Sequence, residues 1–275
     1  MTTHRPRPNL PSKAPKARRE HGGAFAVGGE QYDAVRPGYP AAAVDFLLGA
    51  SGSPAAARGL RVVETGAGTG LLTKDLVSRG AHVSAVDPSA DMLDALRRKL
   101  PAVPAVQATA EATGLPAASC DVVLCAQAWH WVDPVAATAE ARRLLRPAAN
   151  RGAAALGLVW NQLDVTVPWV HRLARIMHAG DVHRPEFEPV KGEGFGPWSR
   201  HEEHWGQEVT PEFLIELARS RAYYLRAAES TRATVEKNLR WYLYEHLEYD
   251  AGAGLTLPYF THAWRAELTG RGASA

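Results

Sequence analysis

Several things are scarce in this chain, and each scarcity closes off a class of function. Only two of its 275 residues are cysteine, Cys120 and Cys125. They fall around one apolar run, where neither a disulfide framework nor a zinc site is expected. Net charge is scarce too: 31 Lys and Arg stand against 29 Asp and Glu, so no global field calls for a nucleic-acid partner. No apolar run approaches the length of a membrane span. A twin-arginine pair, Arg18-Arg19, has no apolar segment after it and does not read as an export signal. Internal repeats are absent. Residues 1–24 are rich in proline and basic side chains, cannot bury a core, and read as a disordered basic tail. The expectation is a cytoplasmic protein that spans no membrane, binds no metal and has an oligomeric state the sequence leaves open.

What is present is alternation. Apolar runs near 61–64, 81–86, 103–108, 121–126 and 153–160 read as strands. Helical patterns at 41–48, 71–79, 90–99 and 134–145 precede or separate them. Val122-Val123-Leu124-Cys125-Ala126 is apolar on both faces, as a strand covered on both sides must be. This predicts an α/β doubly wound, Rossmann-like sheet, mostly parallel, with an antiparallel strand near the C-terminus. Residues 25–275 are assigned to that domain, with 25–50 as an N-terminal cap. Beyond Trp160 the rhythm breaks. A helix over 167–178, a Gly/Pro-punctuated loop to 197, a strand at 204–209 and two helices from 211 to 247 broken near Ala228 are predicted. Residues 165–250 therefore read as a helical insertion, a candidate substrate lid, before a last strand within 255–268.

The chemistry concentrates at Gly66-Ala67-Gly68-Thr69-Gly70, which follows the first strand. Glycines let the backbone turn tightly and approach a ligand that a Cβ would hold away. The helix from Leu71 directs its unpaired N–H groups at the turn. Asp87 lies 21 positions after Gly66, at the end of the second strand, where a carboxylate can accept from a ribose diol. A nicotinamide-dinucleotide fingerprint needs a small residue at the position of Leu71; here the third glycine comes one residue early, at Gly70.

That spacing resembles motif I of the class I S-adenosylmethionine-dependent methyltransferases. Ala110-Glu111-x-x-x-Leu115-Pro116 and Gln127-Ala128-Trp129-His130-Trp131 are similar to the type 11 methyltransferases. Tyr32-x-x-x-Arg36-Pro37-x-Tyr39-Pro40, Val159-Trp160-Asn161, Ser220-Arg221-Ala222-Tyr223 and Leu257-Pro258-Tyr259 resemble the trans-aconitate methyltransferase-like subgroup. The resemblance implies S-adenosyl-L-methionine as cofactor. It implies a site of Tyr32, Arg36, Glu64, Gly66, Ala67, Gly68, Gly70, Asp87, Pro88, Met92, Thr109, Ala110, Glu111 and Gln127. Within it Glu64 either attracts the cofactor's ammonium or braces the loop, and Met92 either lies against adenine or packs in the core. Thr109 stands where the family commonly has Asp. Arg36 and Tyr32, one helical turn apart, either hold the methionine carboxylate or brace an ordinary cap.

Trp129, His130, Trp131, Trp160 and Tyr223 are the expected substrate pocket, with His130 the candidate base or a bystander beside the reacting methyl. Arg172, Arg175, Arg219 and Arg221 are cations that a carboxylate acceptor would want. Val235, Leu239, Tyr242 and His246 form a helical stripe, with Trp198 and Trp205 as possible additions, and read as core or as an aromatic lid. His201 and His204 lack the spacing of a helical zinc pair. The expected activity is methylation of a small molecule, most simply at oxygen. The alternatives are a non-methylating S-adenosylmethionine enzyme, a non-catalytic scaffold and a nicotinamide oxidoreductase.

Overall fold

In the computed structural model, residues 35–50, 54–146, 154–179 and 187–269 are described. The basic tail and Tyr32 lie outside them. The elements are α1 (Ala41–Leu48), β1 (Arg61–Thr65), α2 (Leu71–Ser78), β2 (His82–Asp87), α3 (Ala90–Lys99), β3 (Ala105–Gln107), β4 (Val122–Ala126), α4 (Pro134–Leu144) and β5 (Ala155–Leu163). There follow α5 (Pro168–Ile176), β6 (Ser199–Val209), α6 (Pro211–Arg219), α7 (Ala222–Arg226), α8 (Glu229–Arg240) and β7 (Leu255–Glu267). Seven strands form one sheet in the order β3-β2-β1-β4-β5-β7-β6. Strands β1 to β5 pair in parallel, while β7 runs antiparallel to both β5 and β6. Strand order reverses between β1 and β4, and ligands of such sheets lie at the carboxyl ends of the strands beside that switch.

Both faces of the parallel strands are covered. Val62, Val83, Leu124 and Val159 pack with Leu47, Leu72, Leu76 and Leu96 of α1, α2 and α3 on one side. Val63, Val86, Val123 and Leu158 pack with Ala137, Ala141 and Leu144 of α4 on the other. This is why β4 and β5 are apolar at nearly every position. Local chemistry sets the helix ends. Ser89 accepts from the Met92 N–H, Asp133 accepts from the Val135 and Ala136 N–H groups, and Thr210 accepts from that of Phe213. Pro134 and Pro211 occupy first helical positions, where a missing N–H costs nothing.

A third cluster is separate. Leu163, Val170, Leu173, Leu214, Leu217, Val235, Leu239 and Tyr242 join Val209, Leu255 and Leu257. Its platform is the part of the β6–β7 ribbon that outruns β5. Tyr259 pairs with Leu163, the last residue of β5, so Leu255–Pro258 and their β6 partners project past the sheet's carboxyl end. The span 165–250 thus contains an eleven-residue strand as well as helices. β6 begins at Ser199, five residues before the predicted start, and β3 shrinks from the predicted six residues to three. β3 is an edge strand paired only with β2, and Pro101 and Pro104 interrupt its approach. A second break at Ser220-Arg221 makes α7 a short helix of its own. After α8 the chain makes a π-helical turn over Trp241–His246, which shifts the stripe's phase. Leu243 is buried there, while His246 is exposed and stacks on Trp241 and Tyr242.

Candidate cofactor and acceptor site

The glycine turn closes at the carboxyl ends of β1 and β2. Gly66, Gly68 and Gly70 all sit in left-handed backbone, with φ of 67°, 56° and 88°. Each has a different reason. A Cβ on Gly66 would stand 2.5 Å from the Ala128 Cβ, so the turn must pass tightly beneath the loop after β4. A Cβ on Gly70 would lie 3.1 Å from Leu96, which couples α2 to α3. A Cβ on Gly68 would meet nothing within 4 Å. Gly68 therefore borders open space, the cradle a cofactor requires.

Two carboxylates hold this turn. Asp87 accepts from the Gly68 N–H through Oδ2 (2.9 Å) and from the Ser89 N–H through Oδ1 (2.9 Å). It is 8% exposed, and burial raises its pKa against the lowering effect of those two N–H groups. Each oxygen retains lone-pair capacity for a further donor such as a ribose hydroxyl. Glu64, at the floor of the turn, is fully enclosed and accepts from the Thr73 hydroxyl at 2.6 Å. Burial pushes its pKa up to about 8, the negative charges of Asp87 and Asp75 adding to the shift and the Thr73 bond opposing it. Thr73 was not anticipated as a partner; it lies one turn into α2, where no sequence pattern distinguishes it from a packing residue.

The remaining cofactor candidates differ in exposure. Ala67 and Ala110 are buried, Thr109 and Pro88 are exposed, and the Pro88 carbonyl accepts from Gln107 at 3.1 Å. Thr109 is bridged to Ala112, and Glu111 accepts from the Asp133 N–H, which ties the loop after β3 to the start of α4. Met92 is buried in the first turn of α3, as are Leu93 and Leu96 further along it. Arg36 donates to the Ser220 carbonyl (3.2 Å) and so links the cap to the α6–α7 corner.

Of the expected acceptor residues, Trp129, His130 and Trp131 lie in the loop after β4, Trp160 in β5 and Tyr223 in α7. Gln127 has a positive φ of 55°, held by its N–H on Val159 O and its side-chain amide on Asn161 O (both 2.9 Å). Such backbone in a non-glycine residue is a mark of a constrained corner. Trp129 is buried, with its indole N–H on Val190 O at 2.8 Å, and Trp160, 1% exposed, packs edge-on to Phe187. Both sit in the α4-side core rather than in an open pocket. His130 is exposed and lies against the half-buried Trp131 ring. Tyr223 is on α7, stacked on His178 at 3.9 Å, in the wall of a separate cavity of about 640 Å³ between α5 and α8. Trp198 and Trp205 flank β7, the former on Trp264 and the latter on Tyr259. His201 and His204 are three apart on β6 and so face opposite sides of the strand.

A buried polar chain also emerges. Trp205 Nε1 donates to Thr261 Oγ1 (2.8 Å), whose hydroxyl donates to Asn161 Oδ1 (2.7 Å), and Asn161 Nδ2 donates to Gly38 O (2.8 Å). Asn161 thus binds β5, β7, the cap and, through Gln127, the corner after β4. In the sequence it stands out twice, as the end of Val159-Trp160-Asn161 and, with Gln162, as a polar pair in a mostly apolar strand.

Comparison with known proteins agrees with this geometry. The family described as "Methyltransferase domain" matches residues 63–150. An uncharacterized methyltransferase of Mycobacterium tuberculosis is 41% identical over 257 residues, covering 92% of this chain and 98% of that protein. The chain belongs to the S-adenosylmethionine-dependent methyltransferases. The methyltransferase also resembles a structure presented as a type II methyltransferase from Anaeromyxobacter dehalogenans, with TM-score 0.56, 25% identity and coverage of 84% of this chain and 97% of that one. A ubiquinone biosynthesis O-methyltransferase of Xanthomonas oryzae is 27% identical over 170 residues, 60% of this chain and 70% of that protein. Membership makes S-adenosylmethionine the cofactor and removes the nicotinamide and scaffold readings. The matches do not single out the trans-aconitate-like subgroup. No helix among the described residues is long and apolar enough to cross a membrane.

Proposed function

We propose that this methyltransferase transfers the methyl group to an oxygen of a small molecule. In this reading Gly66–Gly70, Glu64 and Asp87 cradle the cofactor, Ala110 and Met92 border its adenine, and the corner from Gln127 to Trp131 faces the acceptor. The observation that carries it is the poverty of base chemistry at that corner. From Ala126 to Val132 the one titratable side chain is His130, which is exposed and rests on Trp131. The sulfonium is already an activated electrophile, so the protein's task is alignment and exclusion of water. An acceptor that is ionised on arrival, a carboxylate or a phenolate, needs no base. Similarity to an O-methyltransferase points the same way.

The test is incubation of the full chain with S-adenosylmethionine and panels of carboxylic acids, phenols, alcohols and amines, read by product mass. Methyl esters or aryl ethers are the expected products. N-methyl products alone, or none, overturn the reading. His130→Ala should lower kcat by less than about tenfold on an ionised acceptor, whereas a loss of about 10² to 10⁴ would make it the base.

A further inference from the structure

The cavity between α5 and α8 has an unusual wall. His171, Arg172 and Arg175 of α5 and His178 just past its end line it, and Tyr223 and Asn238 face them from α7 and α8; among the described residues no Asp or Glu lines it. Arg172 and Arg175 are three residues apart on one helix, where like charges repel. Several arginines elsewhere meet carboxylates: Arg79 meets Asp45 at 2.6 Å, Arg143 meets Glu140 at 2.7 Å, and Arg219 meets Glu236 at 2.6 Å. Among the described residues neither Arg172 nor Arg175 has such a partner, and the Asn238 amide has no hydrogen bond.

Arg172 is nonetheless held. Its guanidinium lies over the rings of Trp241 (5.4 Å) and Tyr242 (5.3 Å), and among the described residues no protein acceptor takes its N–H donors. A concave site with two arginines in its wall and, among the described residues, no carboxylate against them carries positive potential.

Its position relative to the sheet matters as much as its charge. α5 starts at Pro168, five residues past the end of β5. Arg36 and Gly38 stitch the α6–α7 corner at Ser220 to Asn161 of β5, and Asn161 holds Gln127. Tyr223 follows that corner by three residues. The cavity is therefore tied to the same carboxyl end as the cofactor turn.

We infer that this cavity recognises a carboxylate on the methyl acceptor, with Arg172 and Arg175 as the specificity-determining cations. The carboxylate is a handle there; the methylated oxygen need not belong to it. The inference rests on the small-molecule reading above. A guanidinium edge matches a carboxylate in geometry and charge, and a second arginine with polar groups opposite suits an organic acid of modest size.

The experiment is calorimetry on the full chain saturated with S-adenosylhomocysteine, titrated with succinate, benzoate, benzamide and inorganic phosphate. Wild type should bind a carboxylate and not benzamide. Arg172→Gln and Arg175→Gln should each weaken carboxylate binding by about tenfold or more, leaving S-adenosylhomocysteine affinity and melting temperature unchanged. Arg97→Gln, on α3 and paired to Asp94, should match wild type. The inference is overturned if neither carboxylate binds at about 10 mM, if both variants bind like wild type, or if phosphate binds and the carboxylates do not. Failure of the parent reading is distinguishable. Arginine-dependent carboxylate binding without any O-methyl product sinks O-transfer alone. O-methylation of neutral alcohols at rates unaffected by either variant sinks the carboxylate handle alone.

Discussion

The glycine turn and the helical segment over the ribbon are built on opposite principles. Around the turn, backbone does the work: three left-handed glycines, two carboxylates bonded to N–H or hydroxyl donors, and a corner at Gln127 held by two hydrogen bonds. Around the cavity, side chains do it: arginine over aromatic rings, histidine on tyrosine, threonine and asparagine on a facing helix. A backbone site tolerates few residues at each position and suits a cofactor that never changes. A side-chain site can be rewritten by single substitutions and suits an acceptor that differs between relatives.

The comparison can be broken most severely at Gly66. An alanine there must adopt positive φ and place its Cβ 2.5 Å from the Ala128 Cβ, so Gly66→Ala should cost about 3 kcal/mol or more and abolish cofactor binding. Thermal melting and calorimetry check this, and wild-type behaviour in both would refute the packing argument. A comparable loss should arise in the other region without touching the cofactor. Leu239→Ala opens a cavity in the third cluster and should cost about 3 kcal/mol, with S-adenosylhomocysteine affinity retained. Hydrogen exchange should show α5 and α8 opening first; equal loss of protection at β1 and β2 would mean that the two regions do not separate.

pH sharpens the contrast next. Glu64 binds its proton more tightly folded than unfolded, so between about 4.5 and about 8 the folded state holds more protons. Stability should therefore fall as pH rises through that window and level off above it, with Asp87 contributing in the same sense. Urea titrations of wild type and Glu64→Gln across the window should show a shallower slope in the variant; parallel curves would mean that Glu64 is charged throughout. The smallest effect on the fold is expected at Gly68. Nothing lies within 4 Å of its Cβ position, so Gly68→Ala should cost only about 1 kcal/mol for its positive φ. Its larger effect should be on cofactor affinity, and unchanged affinity would show that the open space is not where the cofactor sits.

The helices Ala41–Leu48 and Ala90–Lys99 match their sequence reading residue for residue, and the parallel strands differ mainly at their ends. Their signals are local: a cap, a turn and a repeating apolar face. β6 was only half legible because an edge strand exposed to solvent, Ser-Arg-His-Glu-Glu-His, carries no apolar alternation. The π-helical turn was invisible for a similar reason, since one extra residue in a turn leaves composition unchanged while moving Leu243 into the core and His246 out. Trp129 and Trp160 looked like pocket residues because aromatic side chains suit both a ligand and a core; only the neighbours Val190 and Phe187 distinguish the two.

By itself, then, the sequence determined the cofactor: three glycines and an acidic residue at set separations impose one backbone path, and a backbone path is a local property. Tertiary structure alone decided what lines the cavity proposed for the acceptor's carboxylate. Arg172, Arg175, Tyr223 and Asn238 come from three helices and meet because the β6–β7 ribbon outruns β5 and gives those helices a surface to pack on. Contacts across such distances leave no spacing to read.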